Sequence, residues 1–253
     1  MKTSLYQQYE AQRSWRSFDR VFRRLGAIEG KRILDLGAGS GFVARSLSQQ
    51  GAEVTAVDGD ADLVQEARLD PGGVNWMCAN FGDLDLSSGR QIDGIWSSFA
   101  IAYVEDPVAW LTRVRQSLSP GGWIAVVEMA DLLNHEPLGI SDREAIAGFV
   151  DDARLSGRYW FDAAHRLDDW IVGSGLSITW SADLDDLELC FDGPASDQVL
   201  NAWRRRLSRM PRLQSMTSRG FTERFLHCLA DSSHRSHTRV RAVVARRPQL
   251  DDE

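Results

Sequence analysis

Seven residues in the first fifth of the chain, Asp35-Leu36-Gly37-Ala38-Gly39-Ser40-Gly41, alternate glycine with small side chains. Glycine reaches φ > 0 without steric penalty and carries no side chain, so such a run lets a ligand approach the backbone closely. A helical pattern starts directly after it at Phe42, and the free N–H groups of a helix start point back at the same loop. Asp58 ends the next apolar run, Glu53 to Val57, where a carboxylate can accept hydrogen bonds from both hydroxyls of a ribose. A glycine loop alone also serves structural turns. A glycine loop followed by an acid at the second strand end points to a nucleoside-bearing ligand. The spacing is G-x-G-x-G; the dinucleotide fingerprint G-x-G-x-x-G would need glycine where Phe42 stands.

These residues need a frame that brings strand ends together, and the surrounding pattern supplies one. Strand-like and helix-like segments alternate, which implies a parallel sheet covered by helices. The spacing of Trp15, Phe18, Phe22 and Leu25 predicts an opening helix over Arg13 to Leu25. Strands are expected from Lys31 to Gly37, Glu53 to Val57, Val74 to Phe81, Ile92 to Ile101 and Trp123 to Val127. Helices are expected from Phe42 to Gln50, from Ala61 to Leu69, and after Asp106-Pro107, an N-cap followed by proline at the first helical position. Ser141-Asp142-Arg143-Glu144 has the form of a capping box before another helix. Leu167, Trp170 and Ile171 mark one more helix, and Ser177 to Trp180 and Thr238 to Ala245 the last strands. More than fifty residues separate those two strands, too many for a plain turn. Helical spacing at Val199, Leu200, Trp203, Leu207 and Met210, and again at Phe221, Phe225 and Leu229, suggests a helical cap there. The expected fold is therefore α/β: a doubly wound, mostly parallel, Rossmann-like seven-stranded sheet with a helical lid inserted before the last strand. All 253 residues form one domain in this reading. Its core covers about 26–187 and 238–247, with helical insertions at about 133–160 and 190–234.

The composition suits that frame. Hydrophobic residues make up 43% and charged residues 26%, ordinary values for a chain with a packed core. A formal net charge of -7 argues against nucleic acid, whose partners carry a basic footprint. The longest apolar stretches, such as Trp123 to Val127, are too short to span a bilayer, so no membrane partner is expected. The polar start, Met1-Lys2-Thr3-Ser4, has no apolar signal region. Cys78, Cys190 and Cys228 are odd in number and far apart, which fits a reducing cytoplasm better than a disulfide framework. No metal site is expected, because His234 and His237 lack a convincing metal partner.

With the motifs in this order, the chain resembles class I S-adenosylmethionine (SAM) methyltransferases. Asp35 to Gly41 looks like their first motif and Val57-Asp58 like their second. Ala79-Asn80-Phe81 falls where the family has an acid and then an apolar residue against adenine. Ile92 to Ser98 resembles the fourth-strand motif, and Leu118-Ser119-Pro120-Gly121-Gly122 the turn into the fifth strand. The resemblance covers residues 30–130 well and the rest in outline. Asn80 stands in place of the usual aspartate, so an amide would have to accept from the adenine amine and donate to a ring nitrogen.

The resemblance implies SAM as cofactor and S-adenosylhomocysteine as spent product. It places Asp35, Gly37, Ala38 and Gly39 in the cofactor loop, Asp58 and Gly59 at the ribose, Asn80 and Phe81 at the adenine, and Ser97 near the sulfonium. Tyr6 and Tyr9 stand where related enzymes fold an N-terminal segment over the cofactor. A sulfonium methyl is already electrophilic, so in-line positioning and exclusion of water can carry catalysis. An acceptor hydroxyl or carbon would also benefit from a base, for which Tyr103, Glu128 and His135 are candidates, His135 and Tyr103 foremost. The paired prolines of adenine or glutamine methylation and the Pro-Cys of cytosine methylation are absent. The insertions fall where small-molecule enzymes of the family cover their substrates, so a small-molecule acceptor is implied. Seven arginines lie between Arg204 and Arg224 against the single acid Glu223. Most should sit on a solvated face, but one or two turned inward could clamp a carboxylate or phosphate, making the acceptor acidic. The rival readings are a SAM-binding accessory or sensor protein without methyl transfer and a nicotinamide-dependent oxidoreductase. Oligomeric state and acceptor atom leave no mark in the sequence.

Overall fold

The computed structural model describes residues 3–84, 86 and 91–249. Seven strands form one sheet: β1 (Arg32–Leu36), β2 (Glu53–Asp58), β3 (Asn75–Cys78), β4 (Ile92–Ser98), β5 (Leu118–Ala130), β7 (Ser177–Asp183) and β9 (Arg239–Arg246). Their spatial order is β3-β2-β1-β4-β5-β9-β7. The first five run parallel, and β9 pairs antiparallel with both β5 and β7. A second small sheet pairs β6 (His135–Glu136) with β8 (Arg235–Ser236).

Helices cover both faces. Against one face pack α2 (Asp19–Phe22), α3 (Phe42–Gln49) and α4 (Ala61–Ala67) through Val21, Val43, Leu47 and Val64. Against the other pack α5 (Pro107–Ser117) and α7 (Ala163–Gly173) through Trp110, Leu111, Leu167 and Ile171. Residues alternate between these two cores along β5: Ala125, Val127 and Met129 enter the first, Ile124 and Val126 the second. Burial on both faces is why the strands read as continuous apolar runs. Before β9 come α8 (Asp197–Ser208), α9 (Pro211–Met216) and α10 (Phe221–Ala230), and α6 (Ile140–Leu155) follows β6. Trp203, Leu207, Phe225 and Leu229 join these helices to the first core.

The local signals at α4 and α5 do what their chemistry allows. Asp60 Oδ1 accepts from the N–H groups of Asp62 and Leu63 at 3.0 Å each. Asp106 Oδ1 accepts from Ala109 N at 2.9 Å, with Pro107 at the first helical position. Two expectations are corrected. The helix expected over Arg13 to Leu25 is instead α1 (Leu5–Gln12), a 3₁₀ turn at Arg13–Trp15 and the short α2. Arg16 leaves the helical path with ψ 122 and bridges to Asp186, so tertiary pairing overrides the apolar spacing. The capping box at Ser141 is not formed either. α6 starts at Ile140 after Gly139, with no side-chain cap. Ser141 therefore lies inside the first turn and cannot be its N-cap, and Asp142 in the same turn meets Arg224 through two bonds of 2.7 and 2.8 Å. No described helix is long and apolar enough to cross a membrane.

Candidate active site

Leu36 pairs with Val57 on one side and Ser97 on the other, so the carboxyl ends of β1, β2 and β4 open at one point. This is the position where open α/β sheets bind ligands. A cavity of ≈ 350 Å³ lies there.

The three glycines of the loop divide their work. Gly37, at φ +74, faces the loop after β4: a Cβ built on it would stand 2.5 Å from Ala100 Cβ. Gly39, at φ +56, lies under Tyr9, whose ring carbon would be 3.1 Å from a Cβ. Gly41, at φ +79, precedes α3 and leaves room for Trp76, 2.2 Å from its virtual Cβ. Two glycines thus shape the cavity and the third packs an indole beneath it. Asp58 locks the rim: Oδ2 accepts from Gly39 N at 2.8 Å and Oδ1 from Asp60 N at 2.9 Å. A carboxylate has about four lone-pair sites, so both oxygens keep capacity for a ligand hydroxyl.

The loop after β4 is strained. Phe99 has φ 55, uncommon for a bulky residue and found where the surroundings impose it. Phe99 N donates to Val127 O at 2.8 Å, and the cavity lies against Ser98, Phe99 and Ala100. Behind this loop Glu128 is fully buried, with Oε1 accepting from Ala102 N at 3.2 Å and Oε2 without a partner. Burial pushes its carboxyl up to about 7, against the pull of the backbone N–H groups of Ala102, Ile101 and Ala100.

The remaining wall comes from the N-terminal segment and the insertion before β9. Arg16 reaches Asp186, donates to Glu188 Oε2 at 2.7 Å and to Gln12 Oε1 at 3.0 Å. Arg206 of α8 donates to Glu188 Oε1 at 2.8 Å. Burial would raise the Glu188 carboxyl, but Arg206 and Arg16 hold it below the ordinary glutamate value. Arg16 and Arg206 both line the cavity, with Phe18, Met129, Tyr159 and Leu189 between them and the strand ends.

Eight of the residues expected from sequence line this cavity: Gly37, Ala38, Gly39, Asp58, Gly59, Phe81, Tyr9 and Tyr103. Tyr103 is 66% exposed at the mouth and meets Tyr159 edge-on at 4.7 Å. Six residues lie outside the lining, among them the buried Glu128 behind the β4 loop. Asp35 is 1% exposed beneath the loop, its carboxyl raised to about 7 by burial. Ser97 is buried and donates to Leu36 O at 3.1 Å, leaving its neighbour Ser98 to face the cavity. Asn80 spends its amide on the turn that follows, accepting from Gly82 N at 3.1 Å and donating to Asp83 at 2.8 Å. Tyr6 packs against the core.

His135 is a correction. Only 1% exposed, it places Nδ1 3.0 Å from His234 Nε2 and Nε2 3.1 Å from Leu132 O, between the rings of Trp203 and Phe225. Burial and His234 push its pKa down to about 3. Both nitrogens are engaged and His135 is not part of the cavity lining, so it joins the insertion to β6 away from the candidate site. Sequence reasoning missed Gln12, Arg16, Ser98, Phe99 and Tyr159. Arg16 carried no signal of its own, and Tyr159 reaches the site by a loop between helices. Arg206 lay unseen among seven arginines, of which Arg204, Arg212 and Arg224 pair with Glu223, Asp152 and Asp142. Among the described residues no group of three or more His, Cys, Asp or Glu side chains could hold a metal ion.

The glycine loop and Asp58 lie in the stretch of chain that matches a known family. Residues 34–126 match the family described as "Methyltransferase domain". A malonyl-[acyl-carrier protein] O-methyltransferase of Enterobacter lignolyticus is 34% identical over 49% of this chain and 49% of that enzyme, so the match spans about half the relative's length. A ubiquinone biosynthesis O-methyltransferase of Xanthomonas oryzae is 30% identical over 74% of each chain. The chain belongs to the class I SAM-dependent methyltransferases. The fold agrees: the crystal structure of the [4+2]-cyclase SpnF superposes with a TM-score of 0.63 over 98% of this chain and 85% of that one. Its 17% identity speaks for the fold alone. In a class I methyltransferase the donor is SAM, and the cradle at Gly37 and Gly39 with the open lone pairs of Asp58 fits a nucleoside that carries an amino-acid tail.

Proposed function

We propose that this protein transfers the methyl group of SAM to a small-molecule acceptor. The observation that carries the reading is the cavity at the ends of β1, β2 and β4, where Gly37, Gly39 and Asp58 converge. The backbone at Gly37 to Gly39 holds the amino-acid side of the cofactor, Asp58 its ribose and Phe81 its adenine. When bound, SAM supplies an electrophilic sulfonium methyl.

The rest is work for this chain's own residues. Tyr9 covers the loop and keeps water out. The Ser98–Ala100 loop, fixed by Glu128 and Val127 O, sets a rigid floor, and such preorganisation converts binding into correct orientation. Tyr103 and Tyr159 stand at the acceptor's entry and offer hydroxyls to orient it. Burial pushes the Tyr159 phenol well above its ordinary value, so it acts as a hydrogen-bonding group and not as a phenolate. The experiment is calorimetry with SAM, S-adenosylhomocysteine and NAD, followed by transfer of labelled methyl from SAM into a small-molecule extract. Binding of both sulfur nucleosides and a labelled low-mass product are expected. Tight NAD binding without SAM binding would refute the reading.

A further inference from the structure

Two cations face the cavity from the N-terminal segment and α8, and the fold neutralises both. Arg16 and Arg206 belong to the lining. Behind them the side chains of Asp186 and Glu188 are 2% and 0% exposed. Arg16 meets both acids, and Arg206 meets Glu188. The acids are further held by the fold. Asp186 Oδ1 accepts from Glu188 N and Leu189 N at 3.0 Å each, and Glu188 Oε1 accepts from Gln12 at 3.4 Å. Two positive and two negative charges leave this cluster at zero. Arg206 is thus the inward arginine expected from sequence, but its charge is answered by Glu188 and not kept for a ligand. Arg209, just beyond α8, is exposed, bonds to Gln8 and lies outside the lining, so water screens it. Asp58 and Asp60 belong to the glycine-loop end and accept from N–H groups of their own loops.

Beside the cluster the wall is apolar, built from Phe18, Phe99, Met129, Tyr159 and Leu189. Arg16 lies over the Phe99 ring at 5.2 Å, and Tyr103 meets Tyr159 edge-on at 4.7 Å. Walls of this kind suit a flat ring. A ring with an ionised group would bring an unanswered charge into a pocket poor in water, which costs binding. We propose that Glu188, buried behind the wall, sets the charge of the acceptor. With Glu188 in place the cavity takes an uncharged, ring-sized aromatic molecule; without it the free charge of Arg206 admits an anion. This rests on the methyltransferase reading of the same cavity. Glu188 is itself outside the lining, so it acts through Arg16 and Arg206 as a specificity-determining residue.

Three phenols test the sign. 4-Hydroxybenzamide, 4-hydroxybenzoate and 4-hydroxybenzylamine share one ring and are neutral, anionic and cationic at neutral pH. Each is titrated by calorimetry into the S-adenosylhomocysteine complex of wild type, Glu188→Gln and Arg206→Gln. Wild type should favour the amide over both ions by roughly tenfold. Glu188→Gln leaves one positive charge and should turn the preference to the benzoate, more at low salt than at high salt. Arg206→Gln leaves one negative charge and should turn it to the amine. A merely loosened wall would weaken all three rings alike and could not give opposite signs. If Glu188→Gln does not fold, Arg206→Gln still carries the test. The wild-type order of preference in the folded variants would overturn the proposal, and so would a wild type that binds the ions as well as the amide or binds no ring. Failure of wild type to bind S-adenosylhomocysteine would instead remove the methyltransferase reading. The same titrations into the free protein would then still decide the role of Glu188.

Discussion

Replacing Gly37 by alanine tests the contact that closes the cofactor loop against the β4 loop. Two costs are separable. A side chain at φ +74 carries roughly 1–2 kcal/mol of backbone strain. The new Cβ would also stand 2.5 Å from Ala100 Cβ, where carbon atoms settle at about 3.5–4.0 Å. Overpacking of that kind costs roughly 1–3 kcal/mol. Gly37→Ala should therefore lose roughly 2–5 kcal/mol, and at about 2–4 °C per kcal/mol for a chain of this size its melting temperature should fall by roughly 4–20 °C. Gly30→Ala is the control, because Gly30 has φ +67 with nothing within 4 Å of a Cβ. It should show the backbone cost alone. Ala100→Gly in the Gly37→Ala background should recover most of the overlap cost, less about 0.5–1 kcal/mol for the added glycine. A double-mutant cycle read by thermal and urea unfolding measures the coupling. Calorimetry with S-adenosylhomocysteine should show binding lost in the single variant and partly restored in the double. If Gly37→Ala is no worse than Gly30→Ala, or if Ala100→Gly restores nothing, the two loops do not meet as described.

Asp58→Ala should weaken S-adenosylhomocysteine by roughly 1.5–3 kcal/mol, since it removes the proposed ribose acceptor and frees Gly39 and Asp60 N–H together; unchanged affinity by calorimetry would remove Asp58 from the site. Glu128, raised from 4.5 to about 7, adds stability that is full below about pH 4.5 and is lost as pH rises through about 7. Glu128→Gln should flatten the stability–pH curve over that window by about 3 kcal/mol at most. Asp35 acts in the same direction, so some slope should remain, and parallel curves for wild type and variant would refute the assignment. His135→Ala should leave nucleoside affinity and turnover unchanged while costing roughly 2–4 kcal/mol in unfolding experiments, because it opens a void beside Trp203 and Phe225. A selective loss of turnover would return His135 to the chemistry.

Local patterns were legible where neighbouring residues decide the outcome. The alternation of strands and helices, Asp106 with Pro107 before α5, and the glycine loop followed by Asp58 all act within a few residues of themselves. Backbone conformation and short-range hydrogen bonds enforce them whatever the rest of the chain does. That is enough to place the mouth of the sheet and one side of the cavity. The other side depends on pairs far apart in the chain. Arg16 meets Asp186 and Glu188, Arg206 turns to the same glutamate while Arg204 and Arg212 find other acids, and Tyr9 lies across Gly39. Nothing in the spacing distinguishes one arginine of α8 from the next, because the choice is made by whichever carboxylate the fold brings near. The same competition broke the helix expected at Arg13 to Leu25. His135 follows the fifth strand as expected, but the strand pairing with Ser236 and the closure of Trp203 and Phe225 turn it inward. The sequence thus determined where the cavity opens at the strand ends, and the tertiary structure decided which charged and aromatic groups surround it.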